Sequence, residues 1–160
     1  MKKHSILDGY ALLYRAHYAL IRNPLITSYG FHTSALFGFT NQLIKIIKDE
    51  NPEYVVCAFD SKEKTFRHKI YSDYKANRPE MPEELQKQIP HLWELLDGMN
   101  IPVLRKPGYE ADDIIGTVTE SVLDKKIESF IVSGDKDFMQ LINDKIFLYT
   151  PGKRNSAPDI

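Results

Sequence analysis

Apolar residues along this chain fall into two rhythms that alternate. Residues 4–7 form a short β-prone run that stops at Asp8-Gly9, and residues 10–20 then switch to helical apolar spacing. A loop opens at Asn23-Pro24. Across 33–48, Ala35, Leu36, Phe39, Leu43, Ile46 and Ile47 make one core-facing stripe of a helix, which Asn51-Pro52 ends. Residues 54–59 are almost all apolar, as a parallel strand buried on both faces should be. Met81-Pro82-Glu83-Glu84 reads as a helix start, with proline in the first turn and acids near the positive end of the dipole. That helix is predicted to run to Met99, with Ile89, Leu92, Trp93, Leu95 and Leu96 turned to the core and a kink at Pro90. A strand at 102–104, a helix through Ile114, Ile115, Val118 and Val122, a strand at 130–132, a short helix to about Ile142 and a strand at 146–149 complete the pattern. The alternation predicts an α/β domain built on a parallel sheet.

The polar residues that matter lie where the strands stop. Asp8 ends the first strand and Asp60 the second; Glu110, Asp112 and Asp113 follow the third, after Gly108, and Asp135 and Asp137 follow the fourth, after Gly134. In an open parallel sheet these turns share one edge, where α/β proteins bind ligands. Carboxylates gathered there repel one another unless protons or cations compensate them, and oxygen donors without cysteine or histidine suit hard divalent ions such as magnesium and manganese. The preference of acids for a helix N-terminus accounts for a pair such as Asp112-Asp113. It does not ask for acids at four successive strand ends.

Composition narrows the setting. At 160 residues, 42% hydrophobic and 27% charged, the chain is expected to form a single domain. A formal net charge of −1 means that any polyanion site is a local patch. The single cysteine, Cys57, lies in a predicted buried strand, which rules out an internal disulfide framework and points to the cytosol. No apolar stretch is long enough to span a bilayer, and Met1-Lys2-Lys3 leads into a strand, so neither export nor membrane insertion is expected. Residues 61–80 break the pattern: Lys62, Lys64, Arg67, Lys69, Lys75 and Arg78 are interleaved with Phe66, Tyr71 and Tyr74, with no continuous apolar stripe. Cations for phosphates and rings for bases are what single-stranded nucleic acid requires; a solvated charged segment is the plain alternative. His17, His32, His68 and His91 read as surface or half-buried residues without a role.

The motifs LDGYALLYRAHYAL, FDSKEKTFRHKIYSDYKANRPEMPEELQKQIP, GYEADDIIGT and VSGDKDFMQLI occur in this order and resemble the 5′ nuclease domains of bacterial DNA polymerase I and, more widely, the flap endonuclease family. The resemblance implies a Rossmann-like (PIN-like) three-layer α/β fold with a mostly parallel central sheet and a basic arch insertion at about 61–80. It implies two Mg2+ or Mn2+ ions that serve phosphodiester hydrolysis near the 5′ end of nicked or flapped DNA, with RNA primer–DNA hybrids as a further substrate. Asp8, Asp60, Glu110, Asp112 and Asp113 match the acids of the first metal; Asp135 and Asp137 match acids that reach toward the second. Tyr74, Lys75 and Arg78 match arch positions that grip the scissile region, with Lys64 and Arg67 as weaker phosphate contacts.

The family continues into a helical half with a duplex clamp and further second-metal aspartates, and in DNA polymerase I into a polymerase domain. The resemblance therefore predicts that residues 1–160 correspond to the N-terminal resolvase-like part, with an incomplete second metal site and weakened cleavage, in the bacterial cytosol or nucleoid. Two alternatives stay open at the level of residues: a PIN-type endoribonuclease on the same acid-tipped sheet, and a module that holds metal and nucleic acid without cutting.

Overall fold

Most of the apolar run at 54–59 forms the second strand of a five-stranded sheet whose ladders are all parallel. This computed structural model describes residues 1–62, 66–71, 73 and 79–152, the side chains of Phe66 and His68 excepted. The order of elements is β1 (Lys2–Asp8), α1 (Gly9–Ala19), α2 (Ser34–Glu50), β2 (Tyr54–Ala58), α3 (Phe66–Ile70), α4 (Glu83–Gln86), α5 (Ile89–Gly98), β3 (Val103–Leu104), α6 (Ala111–Ser121), β4 (Ile127–Val132), a 3₁₀ helix (Lys136–Leu141) and β5 (Ile146–Tyr149). Asn51 ends α2 in the left-handed conformation, with φ 46°, as the Asn-Pro signal suggests.

The strands lie side by side as β3-β2-β1-β4-β5. The chain winds outward from β1 to β3, then returns to place β4 on the other side of β1. The winding direction reverses between β1 and β4, so the loops after these two strands diverge and leave a crevice at their carboxyl ends.

Both faces of the sheet are covered. Ile6 and Leu7 are neighbours in β1, both fully buried, and belong to opposite cores. Leu7, Phe59 and Val132 pack with Leu13 of α1, Leu43 of α2 and Leu92 and Leu96 of α5; Ile6, Ile131 and Leu148 pack with Ile115 of α6 and with Phe138. The three-layer α/β expectation is met, and the sheet is parallel throughout.

Two local expectations are corrected. The helix expected over 81–99 is two helices, broken before Ile89. Gln88 is fully buried at the break; its amide donates to the Glu84 carbonyl at 3.0 Å, and its oxygen accepts the Leu36 N–H at 3.1 Å. Pro90 then lies in the first turn of α5, where its missing N–H costs nothing. His17, expected at the surface or half buried, is 6% exposed in the last turn of α1. Cys57 is buried as expected, and burial pushes its thiol up to about 12.

Candidate metal centre

Asp8 is the last residue of β1 and occupies the N-cap position of α1 without a capping side-chain bond, so its carboxylate stands at the reversal point of the sheet. Its Oδ2 accepts the hydroxyl of Ser133, which follows β4, at 2.8 Å. The crevice between β1 and β4 is thus bridged at its floor by one short polar contact. Asp60 arrives from β2 by way of Phe59, which packs directly over Gly9: a Cβ there would lie 2.2 Å from the Phe59 ring. Glycine is required because the ring and the start of α1 share that space.

Asp60 also ties two elements together. Its Oδ1 accepts the N–H of Ala111, the first residue of α6, at 2.6 Å. The turn before α6 is a capping box in which Asp113 Oδ2 accepts the Glu110 N–H at 3.0 Å. Asp135 heads the 3₁₀ helix and accepts the Asp137 N–H at 2.9 Å, while its own N–H donates to Ser133 Oγ at 3.1 Å.

These elements enclose a cavity of about 320 Å³ lined by Asp8, Asp60, Glu110, Asp112, Asp135 and Asp137, with Tyr10 and Tyr14 of α1 forming its aromatic wall. Six of the seven acids expected from sequence therefore converge. Asp113 does not line the cavity: Arg67 Nη2 donates to its Oδ1 at 2.8 Å, and Arg67 Nη1 to its Oδ2 at 2.9 Å. The same Nη1 reaches Glu110 Oε2 at 2.9 Å. Oxygens of Glu110, Asp112 and Asp113 lie within 4.8 Å of one another, and those of Asp113 also serve the arginine and the cap. Arg67, expected to reach a phosphate, is held by carboxylates here. Lys64, Tyr74, Lys75 and Arg78 fall outside the described residues.

The electrostatics single out two of these acids. The Asp8 carboxyl is pushed up to about 6, first by burial and then by Asp60, Asp135 and Asp112, against the opposing Ser133 hydrogen bond. Asp112 is also raised, by burial and by its neighbours Asp113 and Glu110, while Arg67 pulls it the other way. Carboxylates raised in this way are short of positive charge. No lysine, arginine, histidine or cysteine lines the cavity among the described residues, so the donor set there is all hard oxygen and fits a hard divalent cation.

Sequence reasoning missed Ser133 and the two tyrosines. Tyr10 and Tyr14 stand four residues apart just after Asp8, on one face of α1. That spacing marks a shared face, and the residue numbers alone place it next to a strand end. Ser133 immediately precedes the Gly134-Asp135 turn, but nothing in the sequence announces its bond to Asp8. A second cavity, of about 520 Å³, adjoins the first through Tyr10, Tyr14 and Asp60 and is walled by Trp93. Among the described residues no helix is long and apolar enough to cross a membrane.

Comparison with known proteins agrees with this geometry. Residues 3–159 match the family described as 5′-3′ exonuclease, N-terminal resolvase-like domain. The chain is 45% identical over 151 residues to a 5′-3′ exonuclease of Aquifex aeolicus, covering 94% of this chain and 52% of that protein. It is 43% identical over 145 residues to DNA polymerase I of Bacillus subtilis, covering 90% of this chain and 16% of the polymerase. The chain thus spans about half of the first relative and a small part of the second. Among solved structures it resembles the T5 5′-exonuclease with bound divalent zinc, at TM-score 0.67 and 19% identity over 93% of this chain and 55% of that one. It also resembles the catalytic core of Rad2 in complex with a DNA substrate, at TM-score 0.55 and 16% identity over 98% of this chain and 46% of that one. At these identities the two structures speak to the fold. The match to the family model over nearly the whole chain shows that this protein belongs to the 5′-3′ exonuclease N-terminal resolvase-like domain family.

Proposed function

We propose that this chain carries the metal-dependent catalytic part of a 5′ nuclease that hydrolyses a phosphodiester near the 5′ end of nicked or flapped DNA, with Mg2+ or Mn2+ as its ions. The observation that carries this reading is the convergence of six carboxylates from four strand ends on one cavity at the reversal point of the sheet. Asp8, Asp60, Glu110 and Asp112 would hold the first ion, and Asp135 and Asp137 would reach toward the second. Bound divalent ions generate hydroxide from water near neutral pH and stabilise the attacking and leaving oxygens.

The remaining work falls to the chain. Ser133 donates to Asp8 and so orients its carboxylate. Asp60, bound to the Ala111 N–H, fixes the α6 acids relative to β2. Tyr10 and Tyr14 give the cavity a wall against which a sugar or base packs while water is kept out. Lys75 and Arg78 would neutralise the charge that grows on the non-bridging oxygens, Tyr74 would stack on a base, and Lys64 would add a phosphate contact.

That the matched T5 protein holds divalent ions and the matched Rad2 core holds DNA supports the assignment. The same reading places the chain in the bacterial cytoplasm, with duplex-anchoring helices, and in DNA polymerase I-type proteins a polymerase domain, supplying the rest of the activity.

A gel assay with 5′-flap, nicked and single-stranded DNA, and with RNA, in Mn2+ and Mg2+ at low salt tests this reading. The expected result is metal-dependent cutting near the 5′ end of DNA that Asp112→Asn removes. Cutting confined to RNA would assign an endoribonuclease, and binding without cutting a non-catalytic module; either result overturns the proposal.

A further inference from the structure

Arg67 stands 43 residues before Glu110 and 46 before Asp113, yet it makes three short contacts to them, at 2.8–2.9 Å. The pairs are partly shielded: the side chains are 31% exposed for Arg67, 6% for Glu110 and 21% for Asp113. An arginine fork bound to both oxygens of one carboxylate is the strong, directional form of ion pair. Here it also leans on a second carboxylate, in a group where three acids crowd within 4.8 Å.

The effect is a division of the acids at the α6 N-terminus. Asp113 is committed on both oxygens, by the fork and by the Glu110 N–H. Glu110 gives one oxygen to the fork but still lines the cavity, and Asp112, whose Oδ1 accepts the Asp113 N–H at 3.0 Å, lines it as well. With Arg67 removed, Asp113 would lie close enough to its neighbours to join them around a cation, and one fixed positive charge would be gone from the vicinity.

We propose that Arg67 is a positioning residue that sorts these acids, holding Asp113 and one Glu110 oxygen out of the metal shell so that the ion is taken by the cavity-facing carboxylates. The proposal rests on the metal reading of this site. It differs from a phosphate-contact role in its sign: the arginine weakens cation binding in exchange for placing the cation correctly.

The test is Mn2+ titration of the whole chain, followed by electron paramagnetic resonance and calorimetry, on wild type, Arg67→Ala, Arg67→Lys and Arg67→Ala/Asp113→Asn. Folding is checked by circular dichroism; Asn keeps an oxygen for the Glu110 N–H, and Lys keeps the charge without the fork. Arg67→Ala is expected to bind the first Mn2+ roughly tenfold more tightly, the scale of losing one nearby like charge in a partly screened site. The double variant is expected to return to within about twofold of wild type, because the gained ligand is then neutral. Arg67→Lys should fall between wild type and Arg67→Ala. At saturating Mn2+, Arg67→Ala should still cut a 5′ flap more slowly than wild type, with the loss in kcat. If Arg67→Ala binds Mn2+ as wild type does, or more weakly, while DNA affinity drops, Arg67 is a phosphate contact and the proposal fails alone. If wild type and all variants ignore Mn2+, the metal reading and this proposal fail together.

Discussion

The two ends of this sheet carry opposite kinds of charge pattern. At the amino ends of the strands the signs alternate and settle one another: Lys3 Nζ lies 3.7 Å from Glu50, the Lys3 N–H donates to Glu53, and Lys2 Nζ donates to the Tyr54 hydroxyl at 3.2 Å. There the Glu53 carboxyl is held below its usual range by the backbone N–H it accepts. At the carboxyl ends six acids face one cavity, and Asp8 is pushed the other way, up to about 6. One sheet with one set of ladders tolerates both ends, so folding does not require the like-charged one. That end carries a cost in the metal-free protein which a bound cation would remove.

The largest expected effect separates the ends by metal. A divalent ion that binds only the folded state, at a hundred times its Kd, stabilises by about 2.7 kcal/mol, or roughly 5–10 °C for a domain of this size. Thermal melts with and without Mn2+ are expected to show such a rise in wild type and in Glu50→Gln, whose change lies at the amino end. The rise should shrink sharply in Asp8→Asn and Asp112→Asn. An equal rise in all four proteins would place the binding elsewhere and dissolve the contrast between the ends.

The next effect tests what brings the acids together. Gly9→Ala places a methyl group where the Phe59 ring lies, and Phe59 also packs edge-on against Tyr10 and Trp93 at centroid distances of 5.0 and 4.7 Å. Overpacking of this kind costs about 1–3 kcal/mol. Because Phe59 leads into Asp60, the variant is also expected to lose part of its Mn2+-induced melting shift. A urea titration gives the first number, and melts with metal give the second. Loss of stability with the full metal shift retained would mean that Asp60 is placed independently of its neighbour.

Much of this was legible in the order of residues. The unbroken apolar run at 54–59 announces a strand buried on both faces; Cys57, Ala58 and Phe59 are fully buried, whereas Tyr54 at its start is exposed and Val55 and Val56 are half-buried. Once strands are placed by periodicity, the acids at their ends must share an edge, because parallel ladders align the strand ends. What stayed hidden depends on contacts across long stretches of chain. The helix break at Gln88 is stabilised by the Leu36 N–H, 52 residues away, and no local propensity reports it. The ion pair of Arg67 with Asp113 joins residues 46 apart, and no local pattern reports it or the absence of Asp113 from the cavity lining. His17 continues the 9, 12, 13, 16, 17 spacing of the buried face of α1, a helical mark that its polar side chain obscures.

A smaller effect appears with pH. The folded-state pKa of Asp8, about 6, lies above its ordinary value of 3.8, so the folded protein binds this proton more tightly than the unfolded chain does. The stabilisation is fully present below about pH 4 and is lost as pH rises through 6. In metal-free protein the stability difference between wild type and Asp8→Asn should therefore widen against wild type from pH 4 to pH 7.5, by about 1–2 kcal/mol after allowance for solvent screening. Saturating Mn2+ should reverse the wild-type trend, because proton and cation compete for the same oxygens. Denaturant melts across this range give both slopes; a difference that does not move with pH would mean that Asp8 is ordinarily solvated.

The smallest effect lies at the opposite end and serves as the scale for the rest. Lys3 and Glu50 form a single loose contact, with side chains 38% and 16% exposed. A pair of this kind contributes about 0–1 kcal/mol and weakens with salt. Glu50→Gln is therefore expected to lower stability by at most about 0.5 kcal/mol, with the difference vanishing near molar salt. Asp8→Asn should instead stabilise the metal-free protein, and by more than Glu50→Gln costs, because it removes a like charge from a cavity that no cationic side chain lines among the described residues. If both substitutions destabilise to the same small extent, the carboxyl-end acids are as well compensated within the chain as the amino-end ones, and the claim that they await a metal loses its electrostatic basis.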